Sequence, residues 1–151
     1  MDRIASFSVD HTVLKPGLYV SRVDGDIVTY DLRVCEPYSG NLLGFEEMHT
    51  MEHLIATIVR NNKDYSGDIV YFGPMGCQTG FYLLVNKLDW DIVKGMLIDA
   101  MKQVIDWSDE VPGNSKVECG NYTTLNLEAA KKVASEYLKV LESAYTPNYT
   151  R

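Results

Sequence analysis

The sequence predicts an α+β fold in which helices pack on a mostly antiparallel β-sheet. Three observations predict it: one segment alternates apolar and polar residues as a strand does, two segments are rich in β-branched and aromatic residues, and three longer segments carry helical signals. A chain of 151 residues with 46% hydrophobic residues can form one domain with a substantial core, but a second domain of ordinary size would not fit. We therefore expect a single domain over residues 1–151.

Three segments are predicted to be strands. Residues 28–34 alternate apolar with polar side chains, which is typical of a strand with one buried face. Residues 68–72 and 80–87 are enriched in Ile, Val, Tyr and Phe. The eight residues 73–80 contain three glycines and a proline, so we expect a tight turn between these two strands with Cys77 at its middle.

Three segments are predicted to be helices. One extends from Phe45 to about Arg60, and a second follows Asp89, a good N-cap residue, to about Asp106. A third begins after Asn126 and repeats apolar residues at the spacing of one helix face. We expect that apolar stripe to face the core; it consists of Leu127, Ala130, Val133, Ala134, Tyr137, Leu138 and Leu141.

Charge and composition exclude several classes of partner. The chain has 14 Lys and Arg against 21 Asp and Glu, and no basic run longer than Lys131-Lys132, so we expect no nucleic-acid partner. No segment approaches the roughly 20 apolar residues that span a bilayer, and residues 1–14 lack the apolar core of a signal peptide. We therefore expect a cytoplasmic protein with no membrane partner. Its three cysteines then favour metal or catalytic thiols over disulfides.

The most informative motif is H-x-x-E-H, formed by residues 49–53 inside the first predicted helix. Residues four apart share a helix face, so His49 and His53 can reach one metal ion, and Glu52 lies on the same side. The alternative is a solvated polar face. Because two of only three histidines stand at this spacing, a pair of metal ligands is favoured.

A catalytic metal usually has a third protein ligand, which the residues alone leave open. The candidates are Cys35, Cys77, Cys119 and a distant carboxylate. Cys119 precedes Gly120, which allows close backbone approach. Cys77, in its glycine-rich turn, fits a thiol held at a surface or cleft. Cys35 ends a strand and receives no role.

Five blocks of the chain, in this order, resemble the S-ribosylhomocysteine lyase (LuxS) family over nearly the whole length. They are Ser6-Phe7 with Asp10-His11, residues 31–37, residues 49–54, residues 74–82, and Cys119-Gly120. The H-x-x-E-H block alone also occurs in inverted zinc peptidases, so the order of all five carries the resemblance. The chain departs from the family at Tyr71, where an acidic residue that could contact ribose is usual.

The resemblance implies a metal site and two proton-transfer groups. His49, His53 and Cys119 are implied ligands of one divalent metal ion per subunit, with iron(II) expected and zinc or cobalt able to substitute. Glu52 and Cys77 are the implied proton-transfer groups.

The resemblance also implies a substrate pocket and an assembly. Ser6, His11 and Arg33 are implied to hold the ribose of S-ribosylhomocysteine, and the alternation of residues 28–34 puts Arg33 on the polar face of its strand. The family forms homodimers with active sites at the subunit interface, so a homodimer is expected.

The implied reaction releases homocysteine and 4,5-dihydroxy-2,3-pentanedione, the precursor of autoinducer-2, which links it to quorum sensing and the activated methyl cycle. A thioether can be eliminated without a redox cofactor only after the sugar carbonyl has migrated toward the sulfur. A Lewis-acid metal and two proton-transfer groups suit that migration.

Two alternatives remain open. One is an inverted-zincin-like metallohydrolase in which Glu52 activates a water, and the other is a metal-binding dimer with impaired catalysis.

Overall fold

The computed structural model describes residues 1–143 and Tyr149. The helices and strands are β1 (Gly17–Asp24), β2 (Ile27–Arg33), α1 (Phe45–Arg60), β3 (Ile69–Pro74), β4 (Gly80–Asn86), α2 (Trp90–Ile105) and α3 (Leu127–Glu142). Short 3-10 turns lie at Ala5–Ser8, Ser66–Asp68 and Tyr122–Thr124. The strands form one sheet in the order β1-β2-β4-β3, and all neighbours are antiparallel. The predicted α+β class is confirmed.

Strand β1 is the element that sequence reasoning missed. Its two-residue connection to β2, Gly25-Asp26, follows Asp24 and has φ of 60° at Gly25. This Gly-Asp turn is the available signal. The alternation of β1 is weak because the register shifts between Val20 and Arg22, where the strand carries a bulge.

The three predicted helices are confirmed within about one residue. The Asp89 side chain accepts a hydrogen bond from the backbone N–H of Ile92, and the Asn126 side chain accepts one from Ala129, so both act as N-caps. Five of the seven stripe residues on α3 are buried, and the other two are half-buried. In the described part of the chain no helix is both long and apolar enough to cross a membrane.

The main core lies between the helices and one face of the sheet, where β2 contributes Tyr30 and Leu32. The opposite face was expected to be polar and open along β2. Instead, Asp31 and Arg33 on that face are only 1% and 2% exposed. A small apolar cluster packs on this face, formed by Val9, Leu14, Tyr19 and Tyr149. The prediction was wrong because the alternation of one strand does not indicate whether a remote segment of the chain packs on its polar face.

Candidate active site

Helix α1 presents two histidines on the face turned away from its buried residues. Met51, Leu54 and Ile55 are buried against the core, whereas His49 and His53 are half-buried. The two imidazole rings lie edge to face with centroids 4.6 Å apart. The four-residue spacing therefore brings the rings together, as the motif predicts.

Cys119 joins this pair from the loop between α2 and α3. The ligand atoms of His49, His53 and Cys119 all lie within 4.8 Å of one another, and Cys119 Sγ is 3.4 Å from His49 Nε2. The thiol is held by backbone contacts: Cys119 N–H donates to the Ser115 carbonyl, and Asn121 N–H donates to the sulfur. Among the candidates that the sequence left open, Cys119 is the residue that meets the two histidines.

Each imidazole is oriented by a partner on its other nitrogen. His53 Nδ1 is 2.7 Å from the Pro112 carbonyl oxygen, which can only accept, so Nδ1 carries the proton. His49 Nδ1 is 2.8 Å from Thr124 Oγ1. The Thr124 hydroxyl donates its own proton to the Asn121 carbonyl at 3.0 Å, so it accepts from His49. Both rings are thereby left with Nε2 as a free electron-pair donor, as metal-ligating histidines require.

Electrostatics and backbone shape also fit a metal site. Burial, followed by the neighbouring His53, lowers the pKa of His49, while Glu52 opposes the shift. A neutral imidazole is the form that binds a metal. Gly113 has φ of +77°, and a Cβ there would lie 2.8 Å from His53 Nδ1, so glycine is needed for the loop to approach the ring. Two imidazoles and a thiol suit a divalent ion such as iron(II), cobalt or zinc.

Sequence reasoning missed Pro112, Gly113 and Thr124. Gly113 follows a proline, which signals a turn but not its partner. Thr124 carried no signal.

Cys77 lies exposed in the turn between β3 and β4, as expected. The neighbouring Gln78 fastens this turn to the residue before the N-cap of α1, because its backbone carbonyl accepts from Leu43 N–H and its side-chain amide donates to the Leu43 carbonyl. Cys77 Sγ lies 3.1 Å from Thr79 Oγ1 and 3.8 Å from Arg33 Nη1. The turn is therefore held close to the start of the helix that carries the histidines.

Cys77 and His11 open onto the same cavity of about 470 Å³. The cavity is lined by His11, Pro37, Tyr38, Gly40, Leu42, Cys77 and Thr79. Arg33 lies beneath it and contacts both Cys77 and Thr79. Ser6, in the 3-10 turn at Ala5–Ser8, is half-buried and does not line this cavity. Two of the three residues expected to bind substrate therefore lie beside Cys77.

Tyr71 packs its ring across Gly73 on β3. A Cβ at Gly73 would lie 2.2 Å from the Tyr71 hydroxyl oxygen, so this ring position requires glycine. Tyr71 is 52% exposed and does not line the cavity. Its hydroxyl thus lies outside the lining of the cavity that contains Cys77.

Known proteins are similar in sequence to this chain over nearly its whole length. The family model for S-ribosylhomocysteinase (LuxS) matches residues 4–146. An S-ribosylhomocysteine lyase from Clostridium beijerinckii is 46% identical over 145 residues, which cover 91% of this chain and 90% of that protein. One from Desulfotalea psychrophila is 44% identical over 98% of this chain and 97% of that protein, and one from Borreliella afzelii is 40% identical over 98% of both. The chain belongs to the S-ribosylhomocysteinase (LuxS) family.

Proposed function

We propose that this protein is a metal-dependent carbon–sulfur lyase that cleaves the thioether of S-ribosylhomocysteine into homocysteine and 4,5-dihydroxy-2,3-pentanedione. The names of its relatives support the substrate. One observation carries the proposal: His49 and His53 on α1 converge with Cys119 from a distant loop. A product that is the precursor of autoinducer-2 would serve quorum sensing and the activated methyl cycle.

The three converging side chains would hold one divalent metal ion per subunit, iron(II) in our proposal, with zinc or cobalt able to substitute. When bound, the metal supplies Lewis-acid stabilisation of negative charge on the sugar oxygens. The Thr124 and Pro112 contacts keep both imidazoles turned so that Nε2 is available.

Two side chains would move protons. The carbonyl of the opened sugar moves from the first to the second and then to the third carbon, and each move takes a proton from one carbon and returns one to its neighbour. Removal of a proton from the fourth carbon then expels the sulfur from the fifth, and the departing thiolate takes up a proton to give homocysteine. Glu52 and Cys77 would serve these transfers.

The surroundings of Cys77 suit this work. The Arg33 guanidinium lies 3.8 Å from the sulfur and places a positive charge beside it. Arg33, His11 and Ser6 would also hold the ribose hydroxyls, and the first two of these are already beside the cavity of Cys77.

We also propose that the active form is a homodimer with its sites at the subunit interface. Large apolar side chains at the N-terminal 3-10 turn, around the cavity and at the start of α1 are exposed: Ile4, Phe7, Tyr38, Leu42 and Phe45. Tyr38 and Leu42 line the cavity itself. A second copy that covered these side chains would remove apolar surface from water and complete the pocket.

The free thiols of Cys77 and Cys119 favour the reducing cytoplasm as the location of the protein. Residues 1–151 would act as one domain.

The test is release of a free thiol. Protein purified without oxygen and loaded with iron(II) or cobalt(II) is mixed with S-ribosylhomocysteine, and homocysteine is followed with a thiol reagent. We expect one thiol per substrate consumed. Absence of release from a metal-loaded dimer would overturn the lyase proposal and favour the metal-binding dimer with impaired catalysis. Cleavage of a peptide amide instead would favour the metallohydrolase.

A further inference from the structure

Strand β2 carries a buried ion pair between Arg33 and Asp31. The proposed mechanism gives a role to Arg33 but none to Asp31. Arg33 Nη2 donates to Asp31 Oδ2 at 2.6 Å, and the two side chains are 2% and 1% exposed. Burial lowers the pKa of Arg33, but Asp31 outweighs this effect and raises the pKa above its ordinary value. Buried pairs are costly to maintain, so this one invites a functional explanation.

The sheet is built to accommodate the pair. Arg33 lies opposite Gly17 on β1 and opposite Gly80 on β4, so neither neighbouring strand places a side chain beside the guanidinium. Asp31 lies opposite Tyr19 and Tyr82. Directly opposed residues share a face in an antiparallel sheet, so two aromatic rings flank the carboxylate, whereas the residues opposite the arginine carry no side chain.

Arg33 connects this pair to the thiol. Its Nη1 donates to Thr79 Oγ1 at 2.7 Å and approaches Cys77 Sγ at 3.8 Å. Because the Thr79 oxygen accepts from arginine, its own proton is free to point at the sulfur 3.1 Å away. The Arg33 and Thr79 groups that contact the Cys77 sulfur can therefore both donate to it, and both depend on where the guanidinium lies.

Only a few contacts hold the guanidinium in that position. Among the residues that the structure describes, Arg33 Nε and Asp31 Oδ1 are buried without a hydrogen-bond partner. The acceptor for Nη2 within the described part of the chain is Asp31 Oδ2, so rotation of the carboxylate would move Arg33.

Tyr149, near the end of the chain, holds that same oxygen. Its hydroxyl donates to Asp31 Oδ2, and its ring stacks on Tyr19 with centroids 4.7 Å apart and planes 7° apart. Burial, together with the Asp31 charge, raises the pKa of Tyr149 far above its usual value, so the hydroxyl keeps its proton. The phenol therefore acts as a permanent donor to the carboxylate that anchors Arg33.

We propose that Tyr149 is a positioning residue, whose hydroxyl holds Asp31 and through it keeps Arg33 against Thr79 and Cys77. The role of the thiol itself rests on the proposed function. The relay does not, because it predicts the reactivity of Cys77 whether or not the protein is a lyase. Tyr149, which is 118 positions from Asp31 in the sequence, would thus influence the reactivity of the Cys77 thiol.

The test is the Tyr149→Phe variant, which keeps the ring that stacks on Tyr19 and removes only the donor. Zinc-loaded holoenzyme is alkylated with iodoacetamide at pH 7.5, and modification of each cysteine is followed by peptide mass spectrometry. We expect the alkylation rate of Cys77 to fall about threefold or more relative to the unaltered protein. A change of this size corresponds to loss of part of one hydrogen bond. Cys35, in the same sample, is the internal reference and keeps its rate.

The matched control is Tyr30→Phe, which removes another buried tyrosine hydroxyl, the one that donates to the Leu88 carbonyl. It leaves the Asp31, Arg33 and Cys77 contacts in place, so we expect no change in Cys77 alkylation. In the lyase assay, Tyr149→Phe lowers kcat by about the same factor as alkylation.

A loosened fold gives a different result, because it exposes the half-buried Cys35 and accelerates the modification of that residue. Unchanged or faster alkylation of Cys77, or equal slowing of Cys35, overturns the proposal. An absence of lyase activity in the unaltered protein would instead overturn the proposed function and leave the alkylation result to be judged by itself. Asp31→Asn provides a second check, since Tyr149→Phe is expected to have no further effect on alkylation in that background.

Discussion

Cys119 Sγ lies 3.4 Å from His49 Nε2, although 70 positions of sequence separate the two residues. Cys119→Ala removes one of three converging ligands, so we expect the purified variant to lose its metal during dialysis against a mild chelator. Metal analysis of the dialysed protein measures this. Cys35→Ala, which removes another half-buried thiol, is the control and is expected to keep a full complement.

Cys77 lies outside that cluster, so Cys77→Ala is expected to bind metal like the unaltered protein. Loss of a proton-transfer group costs about 10²- to 10⁴-fold in rate, and we expect thiol release from S-ribosylhomocysteine to fall within that range. Parallel metal analysis and thiol assays check both points. If this variant loses metal while Cys119→Ala retains it, the roles of the two thiols are reversed.

Glu52 shares the histidine face of α1 and is near enough for its charge to oppose the lowering of the His49 pKa. Glu52→Gln preserves the shape of the side chain but removes its capacity as a base. We expect bound metal to be retained and turnover to fall by about 10²-fold or more. Glu46→Gln, an exposed change in the first turn of the same helix, is the control. Near-normal rates for Glu52→Gln would remove this residue from the mechanism.

Thr124 accepts the Nδ1 proton of His49. Thr124→Val keeps the size of the side chain and removes the acceptor, so the ring is no longer oriented and its Nε2 becomes a weaker ligand. Loss of such a partner typically weakens metal binding 10- to 100-fold, and we expect the Kd for zinc to rise by about that much in competition with a chelating dye. The exposed neighbour Thr123 supplies the control variant, Thr123→Val. Equal Kd values for the two variants would contradict the role of Thr124.

Burial, with a smaller effect of the Asp89 charge, raises the pKa of Tyr30 from 10.0 to about 12. In the unfolded chain the phenol ionises near 10, so above that pH the unfolded state holds fewer protons than the folded state. The stability contributed by protonated Tyr30 is complete below pH 10 and is lost as the pH rises toward 12.

Tyr30→Phe removes this dependence. At pH 8 we expect it to be less stable by about 1 kcal/mol, because the hydrogen bond to the Leu88 carbonyl is gone. Between pH 10 and 12 the difference from the unaltered protein is expected to shrink. Urea unfolding at a series of pH values measures it, and a constant difference would contradict the assignment.

Local signals explain what could be predicted about the fold. The N-caps Asp89 and Asn126 and the apolar stripe of α3 act within one or two turns of chain, so the helices were predictable to about a residue. Strand β1 was not predicted, because a bulge interrupts its alternation and its burial depends on chain packed on it from other parts of the molecule.

The residues of the candidate site likewise divide into those that the sequence predicted and those that only the tertiary structure places there. The spacing of His49 and His53 is a property of one helix, so the sequence alone determined that their rings meet. The family resemblance supplied Cys119, and only the tertiary structure brings it to the histidines, because the loop after α2 must return to α1. The same is true of Thr124 and Pro112, each of which contacts an imidazole ring from a remote part of the chain.

The sequence by itself determined the fold class, the helices, the histidine pair and the family resemblance, because each rests on short-range periodicity or on ordered motifs. The tertiary structure decided the third ligand's position, the burial of Asp31 and Arg33, and the contact of Tyr149 with that pair. These depend on side chains from remote segments meeting in space. Local preferences of the chain carry no information about which remote segment will cover a given face.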